Sequence, residues 1–122
     1  MKYEAYTQGP LTGAYLLEDF YNLSREKVVF AQGYLIQAGQ VLGKITETGK
    51  YAPLDFSATD GRETAYAISY DTVDTTDEEQ VAVITARLSA AKIDYILWPE
   101  TATDQQIETA RLALQAHHIV LR

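Results

Sequence analysis

Cysteine is absent from the 122 residues of the chain, and basic residues are outnumbered by acidic ones. Without cysteine, a disulfide scaffold, a zinc ribbon, a thiolate nucleophile and a dithiol redox motif are all excluded. The 10 Lys and Arg residues stand against 17 Asp and Glu residues, for a net charge of −7. Because contact with a nucleic-acid backbone is made by clustered Lys and Arg, this balance argues against nucleic acid as a direct partner.

Long apolar runs are missing as well. The longest uncharged stretch, residues 28–43, is interrupted by Gln and Gly and is shorter than a membrane span requires. Near the N-terminus, Glu4 and the pair Gly9-Pro10 fall where a signal peptide needs an unbroken apolar core. We therefore expect a soluble protein that is made in the cytosol and has no membrane partner.

The chain does contain enough apolar material for one compact domain. Hydrophobic residues make up 47% of the sequence, and a chain of this size removes roughly two-thirds of its unfolded surface from water on folding. The acidic charge is concentrated in residues 51–100, which hold three basic and ten acidic residues and so account for the whole net charge. The densest part, residues 71–79, is predicted to be an exposed loop. A calcium-binding loop is the alternative, although the EF-hand order of acidic residues is absent.

The pattern of apolar residues predicts a mostly β domain with one main α-helix, an α+β fold, preceded by an N-terminal arm. The arm comprises residues 1–24, and the β-rich domain comprises residues 25–122. Within the arm, residues 14–23 are predicted to form a short amphipathic helix, which must dock on another element because it is too short to be stable alone. The apolar side of this helix consists of Leu16, Leu17, Phe20 and Tyr21.

Strands of the β-rich domain are predicted where β-branched and aromatic residues are concentrated. Residues 41–56 favour a hairpin with its turn at residues 47–50, and Pro53 confines the second half of the hairpin to an edge or irregular strand. A polar loop follows at residues 57–63. Further strands are predicted at residues 64–70, 80–88, 93–98 and 119–121.

The clearest helix begins after Thr103. Thr103 and Gln106 have the spacing of a capping box, in which each residue bonds the backbone of the other. Ile107, Ala110 and Leu114 then recur at the spacing of a stripe that faces a core.

No grouping of side chains meets the requirements of catalysis, so we expect no enzyme, no catalytic residue, no metal site and no cofactor. His117 and His118 are adjacent at the helix end and point in different directions, which argues against a shared metal site and favours interaction with the last helical carbonyls. Acid/base catalysis by Asp55, Asp60 and Glu63 is an alternative. In a loop rich in Ser, Thr and Gly, however, such residues are typical turn formers that bond their own backbone.

The segment GQVLGKIT at residues 39–46 resembles a phosphate-binding P-loop, but the spacing of its glycines is one residue short and Ile45 replaces the required Ser or Thr. The same hairpin resembles those of lipoyl- or biotinyl-type carriers, in which a lysine at a turn holds the cofactor. Lys44 or Lys50 would be that lysine. A small β-hairpin ligand- or cofactor-carrying module is therefore the alternative function.

Aromatic residues crowd the first part of the chain. Amphipathic aromatic residues are enriched at protein–protein contacts, so this crowding predicts a binding surface. The residues of that surface are Tyr3, Tyr6, Tyr15, Phe20 and Tyr21. Trp98, in contrast, precedes Pro99 at the end of a predicted strand and is expected in the core.

The segment DYILWPETATD at residues 94–104, followed by a helix and a short apolar tail, resembles the end of the phage lambda-type head decoration proteins. Upstream, AGQVLGKIT at residues 38–46, GKY at 49–51 and ATDG at 58–61 are similar to the same family and occur in matching order. The resemblance covers about residues 35–122. Its most specific part is the structural motif LWPE, which contains Trp98, Pro99 and Glu100.

The resemblance implies a structural role. Members of this family have a small β-clip-like domain, form homotrimers at local three-fold positions of the expanded phage head, and bind the major capsid protein on the outer surface of the virion. It also implies that the protein resides in the host cytoplasm before assembly and that its N-terminal arm pairs with capsid strands. The aromatic residues of the arm would then be capsid-binding residues. In place of the Ser-, Thr-, Pro- and Ala-rich arm of the lambda pattern, this sequence has the amphipathic segment 14–23.

Overall fold

The computed structural model describes residues 12–122. Within this range the chain forms ten short strands, one α-helix and two 3₁₀ turns. The strands are β1 Leu16–Glu18, β2 Arg25–Phe30, β3 Leu35–Ile36, β4 Val41–Lys44, β5 Tyr51–Pro53, β6 Ala67–Ser69, β7 Val73–Asp74, β8 Gln80–Thr85, β9 Ser89–Ala91 and β10 Ile119–Leu121. Helix α1 spans Asp104–Ala116, and the 3₁₀ turns lie at Tyr21–Leu23 and Ile93–Tyr95. The prediction of a mostly β fold with one main helix is confirmed.

A closed barrel of strands β2, β5, β4, β6 and β8 forms one half of the structure. Its longest ladder joins β2 and β8, which run antiparallel from the pair Arg25 and Thr85 to the pair Phe30 and Gln80. Large apolar side chains fill the barrel because alternate residues of each strand point inward. Phe30, Leu42 and Ile84 of the barrel strands are fully buried in this core cluster, and Ile36 of β3 packs with them.

A three-stranded sheet in the order β1, β9, β10 forms the other half. Strand β9 runs antiparallel to β1 and parallel to β10, and α1 lies on the connection between β9 and β10. A second core cluster lies beneath this sheet and includes Tyr15, Leu114 and Ile119. Strands β3 and β7 pair separately as a two-stranded ribbon.

Helix α1 begins as the sequence predicts. The Gln106 backbone N–H donates to Thr103 Oγ1 over 3.2 Å, and the Thr103 backbone N–H donates to Gln106 Oε1 over 3.0 Å. Ala110 and Leu114 are buried, while Leu112 on the outer side of the helix is exposed. Both the capping box and the core-facing stripe are therefore confirmed. No helix in residues 12–122 is long and apolar enough to cross a membrane.

The predicted hairpin is also confirmed, as β4 and β5 pair antiparallel and Gly49 occupies the turn with a φ of +73°. Of the two alternatives predicted for Pro53, the edge strand is wrong because β5 lies between β2 and β4 in the barrel, whereas the irregular strand is confirmed because β5 pairs with β2 at one residue only. Proline is accommodated there since the pairing of β5 with β2 is limited to Tyr51, so the missing N–H of Pro53 leaves no gap in that ladder.

Two predicted elements are wrong. Residues 14–23 do not form a helix; they form a turn, strand β1 and the first 3₁₀ turn, because the edge of β9 offers this segment a ladder that a short isolated helix cannot match. Residues 93–98 do not form a strand, since a 3₁₀ turn occupies Ile93–Tyr95 and only Leu97 bridges to Gln40. Strand β9 was not predicted, because Ser89–Ala91 consists of small residues with low strand propensity.

The division into an arm of residues 1–24 and a domain of residues 25–122 stays a prediction, as does the β-clip architecture. The described part of the arm nevertheless contacts the domain closely. Leu16 pairs with Ala91, and Tyr15 lies in the core.

Candidate functional site

The described residues form an open groove of about 630 Å³, which we call the β1 groove. It lies along β1, the 3₁₀ turn that follows, and the outer side of β9 and β10. Its apolar residues include Leu17, Phe20, Tyr21, Ala90 and Val120. Phe20 and Tyr21 are 66% and 71% exposed. Such exposure of neighbouring aromatic side chains is typical of a surface that contacts another macromolecule.

The backbone holds Tyr21 and Phe20 outward. Tyr21 adopts a φ of +51°, an uncommon conformation for a residue other than glycine. The Arg25 guanidinium lies 5.2 Å from the centre of the Tyr21 ring and 4.3 Å from that of Tyr70, and it forms an ion pair with Asp19 at 3.0 Å. These contacts hold the segment that carries Phe20 and Tyr21 in place and leave both aromatic side chains open to solvent.

The segments on either side of β1 are fixed by a fully buried serine after the strand and by a glycine before it. The Phe20 N–H donates to Ser24 Oγ over 2.7 Å, and the Ser24 hydroxyl donates to the Leu88 carbonyl over 2.8 Å. At the start of the described chain, the Gly13 N–H donates to the Tyr70 carbonyl over 3.1 Å. The Thr12 hydroxyl donates to Asp71 over 3.0 Å. The first described residues, Thr12 and Gly13, therefore lie at the rim of the β1 groove.

Of the five aromatic residues predicted to form a binding surface, Phe20 and Tyr21 are exposed in the β1 groove. Tyr3 and Tyr6 lie outside the described residues. The inclusion of Tyr15 is corrected by the structure. Its side chain is only 2% exposed, and its hydroxyl hydrogen-bonds the buried hydroxyl of Thr85 on β8. Burial also raises the pKa of Tyr15 well above its ordinary value. Tyr15 is thus a core residue with no surface to offer a partner.

The carboxylates considered for catalysis are turn formers. Asp55 accepts the Ser57 backbone N–H at 3.0 Å, and Asp60 accepts that of Arg62 at 3.2 Å. These hydrogen bonds, together with side-chain bonds from the same two residues, lower the pKa values of Asp55 and Asp60. A catalytic acid requires the opposite shift, toward neutral pH. Glu63 likewise accepts the Gly61 backbone N–H.

The two lysines considered for a carrier are not placed as attachment sites. Lys44 lies within β4, and its ammonium group is 5.3 Å from the centre of the Tyr66 ring and 5.7 Å from that of Tyr51. Lys50 follows the hairpin turn but forms an ion pair with Glu79. The centre of the His117 ring lies 4.6 Å from the centre of the Tyr66 ring. This Lys–Tyr–His cluster was not predicted, because its members come from β4, the segment before β6 and the helix end.

The acidic segment at residues 71–79 is not a loop throughout as predicted, because Val73–Asp74 form β7 and pair with β3. The segment is exposed at Asp74 and at residues 76–79, which confirms the predicted exposure there. Thr75 is the exception. It is fully buried, and its hydroxyl anchors the segment to the Ala31 and Tyr34 carbonyls. In the described part of the chain, no group of three or more His, Asp or Glu side chains is positioned to hold a metal ion.

The LWPE motif forms the approach to α1. Trp98 is half-buried against the core cluster beneath the three-stranded sheet, so its predicted core position is confirmed in part. The carbonyl of Pro99 accepts the Ala102 N–H at 3.0 Å, which makes a turn, and Glu100 on that turn is exposed. The motif is therefore a structural connection between the 3₁₀ turn and the helix.

Comparison with known proteins identifies the family of this chain. No curated protein is similar enough to count as a match. A family model described as bacteriophage lambda head decoration protein D, however, matches residues 5–119, which include the barrel, most of the three-stranded sheet and the helix. That family is one of structural phage capsid proteins rather than of enzymes. The chain therefore belongs to the bacteriophage lambda head decoration protein D family and has a role in phage capsid decoration.

Proposed function

We propose that this protein binds the outer surface of the expanded phage head as a homotrimer at local three-fold positions, after residing in the host cytoplasm. There it joins neighbouring subunits of the major capsid protein and stabilises the shell. The observation that supports this proposal beyond family membership is the β1 groove, whose exposed apolar residues suit contact with another protein.

The distribution of exposed apolar residues favours this surface over the rest of the domain. Nine large apolar residues are exposed in residues 12–122, and five of them lie at or beside the β1 groove. Those five are Leu17, Phe20, Tyr21, Leu23 and Val120. Scattered apolar residues need no explanation on a protein surface, but a contiguous group marks an interaction site.

Residues of the N-terminal arm are the second part of the proposed contact with the capsid. Tyr3 and Tyr6 precede the β1 groove in the sequence, and Phe20 and Tyr21 lie on its wall. An arm that pairs with a capsid strand would gain affinity from main-chain hydrogen bonds and specificity from alternate side chains. We therefore assign capsid binding to Tyr3, Tyr6, Phe20 and Tyr21, and exclude the buried Tyr15.

Binding to expanded heads that lack a decoration protein tests this assignment. The variant Phe20→Ser with Tyr21→Ser removes the aromatic wall of the groove. A matched control, Leu35→Ser with Val81→Ser, removes two equally exposed apolar residues from β3 and β8. Because a single aromatic hot-spot residue contributes about 2 kcal/mol or more, the loss of even one such contact should make the groove variant bind heads at least about 30-fold more weakly. Equal loss in both variants would refute the role of the groove.

Electron microscopy of decorated heads tests the stoichiometry and position. We expect three-lobed density at local three-fold positions, with Phe20 and Tyr21 facing the shell. A variant lacking residues 1–12 should bind less tightly than the full chain. Single-lobed density, or decoration by the truncated variant at full strength, would contradict the trimer or the arm contact respectively.

A further inference from the structure

One end of the barrel opens into a cavity of about 340 Å³, which we call the barrel mouth. Each of the five barrel strands contributes one residue to it, namely Glu26 of β2, Lys44 of β4, Tyr51 of β5, Ala67 of β6 and Ile84 of β8. Because residues two apart on a strand share a face, Glu26 and Lys44 point the same way as the buried Phe30 and Leu42. The mouth therefore continues the interior of the barrel, a place where small ligands commonly bind.

The Tyr51 hydroxyl is a polar group of the barrel mouth that lacks a hydrogen-bond partner. Tyr51 is only 5% exposed, yet no group in residues 12–122 forms a hydrogen bond with its hydroxyl. Ser89 Oγ is the one fully enclosed side-chain polar atom without a partner in the same residues, so the Tyr51 hydroxyl must reach the open space of the mouth. Burial raises the pKa of Tyr51 to about 12, so the hydroxyl keeps its proton at neutral pH. An acceptor in the mouth would therefore satisfy a donor that the fold leaves unpaired.

Lys44 brings a positive charge to the barrel mouth. Its ammonium group lies close to the rings of Tyr51 and Tyr66, but contact with a ring attracts a cation without neutralising it. Lys44 takes part in none of the five ion pairs formed in the described part of the chain. Glu26 and Arg87, which also line the mouth, pair with each other and so neutralise their charges. On a chain with a net charge of −7, the mouth thus retains an uncompensated positive charge.

We propose that the barrel mouth binds a small oxyanion of the phosphate or carboxylate class. The Lys44 ammonium and the Tyr51 hydroxyl donate hydrogen bonds to its oxygen atoms. These two residues are directly paired across β4 and β5, which places their side chains next to each other on one face. Tyr66 and His117, whose ring centres lie 4.6 Å apart, bound the mouth near the end of α1. This binding goes beyond capsid decoration and does not depend on it.

Isothermal titration calorimetry of the full chain with inorganic phosphate, and separately with acetate, measures this binding at constant ionic strength in chloride. The variant Lys44→Met removes the charge, and Tyr51→Phe removes only the hydroxyl. The control Lys27→Met removes the same charge from an exposed position of β2 outside the mouth. Because hydrogen bonds from charged donors are the stronger ones, we expect Lys44→Met to weaken binding at least about tenfold, Tyr51→Phe about three- to tenfold, and Lys27→Met less than about twofold. Thermal melts establish that each variant is folded.

NMR spectra of the backbone amides locate the bound anion. We expect the amides of Tyr51 and Tyr66 to shift on titration of the parent and to stay unchanged in Lys44→Met. Binding of only one of the two anions supports the proposal and identifies the class of the ligand. The absence of both saturable heat and shift changes with either anion would overturn it. Equal weakening in Lys44→Met and Lys27→Met would also overturn it, because net charge would then explain the effect; this comparison decides the matter if Tyr51→Phe does not fold.

Discussion

The hydrogen bond between Tyr15 and Thr85 joins the segment before β1 to the barrel, and its removal gives a quantitative test of the fold. Both side chains are almost completely buried, at 2% and 0% exposure. The change Tyr15→Phe keeps the ring in the core but leaves the Thr85 hydroxyl without this partner. An unpaired buried hydroxyl costs about 1–3 kcal/mol of unfolding free energy. For a domain of this size, that corresponds to a fall in melting temperature of about 4–12 °C.

Urea unfolding followed by the fluorescence of the single tryptophan, Trp98, measures this cost. The double variant Tyr15→Phe with Thr85→Val provides the control, because it replaces both polar partners by apolar groups of similar shape. Such paired replacement is nearly neutral, so the double variant should recover to within about 1 kcal/mol of the parent. If Tyr15→Phe unfolds at the parent's midpoint, or if Thr85→Val adds a further loss, the hydrogen bond does not stabilise the fold as argued.

Three further predictions concern other parts of the domain. Gly61 has a φ of +113°, and a Cβ there would lie 2.3 Å from the Lys44 carbonyl oxygen, whereas a Cβ at Gly49 would meet no atom within 4 Å. We therefore expect Gly61→Ala to lower the free energy of unfolding by at least about 2 kcal/mol more than Gly49→Ala does, as compared by thermal melts. Because the Trp98 ring is only half-buried against the core, Trp98→Ala should lower the free energy of unfolding by about 2–3 kcal/mol, less than the ~3–5 kcal/mol expected for a fully buried ring. An unchanged melting curve would show that the ring does not contribute to the core. Burial raises the pKa of Tyr51 to about 12 from an ordinary 10.0. The unfolded chain therefore loses this proton first as pH rises, and stability should fall between about pH 10 and 12 by up to ~1.4 kcal/mol per pH unit. The fall should be shallower in Tyr51→Phe.

Elements whose signals are local were predictable from the sequence. Helix α1 carries its own capping residues and apolar stripe, and the β4–β5 hairpin carries its turn glycine, so both are specified within a few residues. The segment 14–23 was not predictable in this way. Its spacing of apolar residues fits a helix, but the structure is decided by pairing with β9, more than 70 residues away in the sequence.

The same distinction between local and distant signals applies to the residues of the candidate site. Crowding of aromatic residues near the N-terminus identified Phe20 and Tyr21, which do face the β1 groove. The same criterion wrongly included Tyr15, because its partner Thr85 is 70 residues distant. Val120 and Ala90 were missed, since each is one apolar residue in a short strand and becomes part of a surface only when β9 and β10 lie beside β1.

The three-stranded sheet also constrains how the chain folds during synthesis. Strand β1 needs β9, and the cluster beneath the sheet needs Leu114 and Ile119, so the segment around Tyr15 has no complete partner until residues 119–121 have left the ribosome. Contacts between residues so far apart in sequence are slow to form because a long loop must close first. The nascent chain must therefore carry the apolar side of residues 15–17 unpaired until residues 119–121 have been made, a period in which exposed apolar surface promotes aggregation.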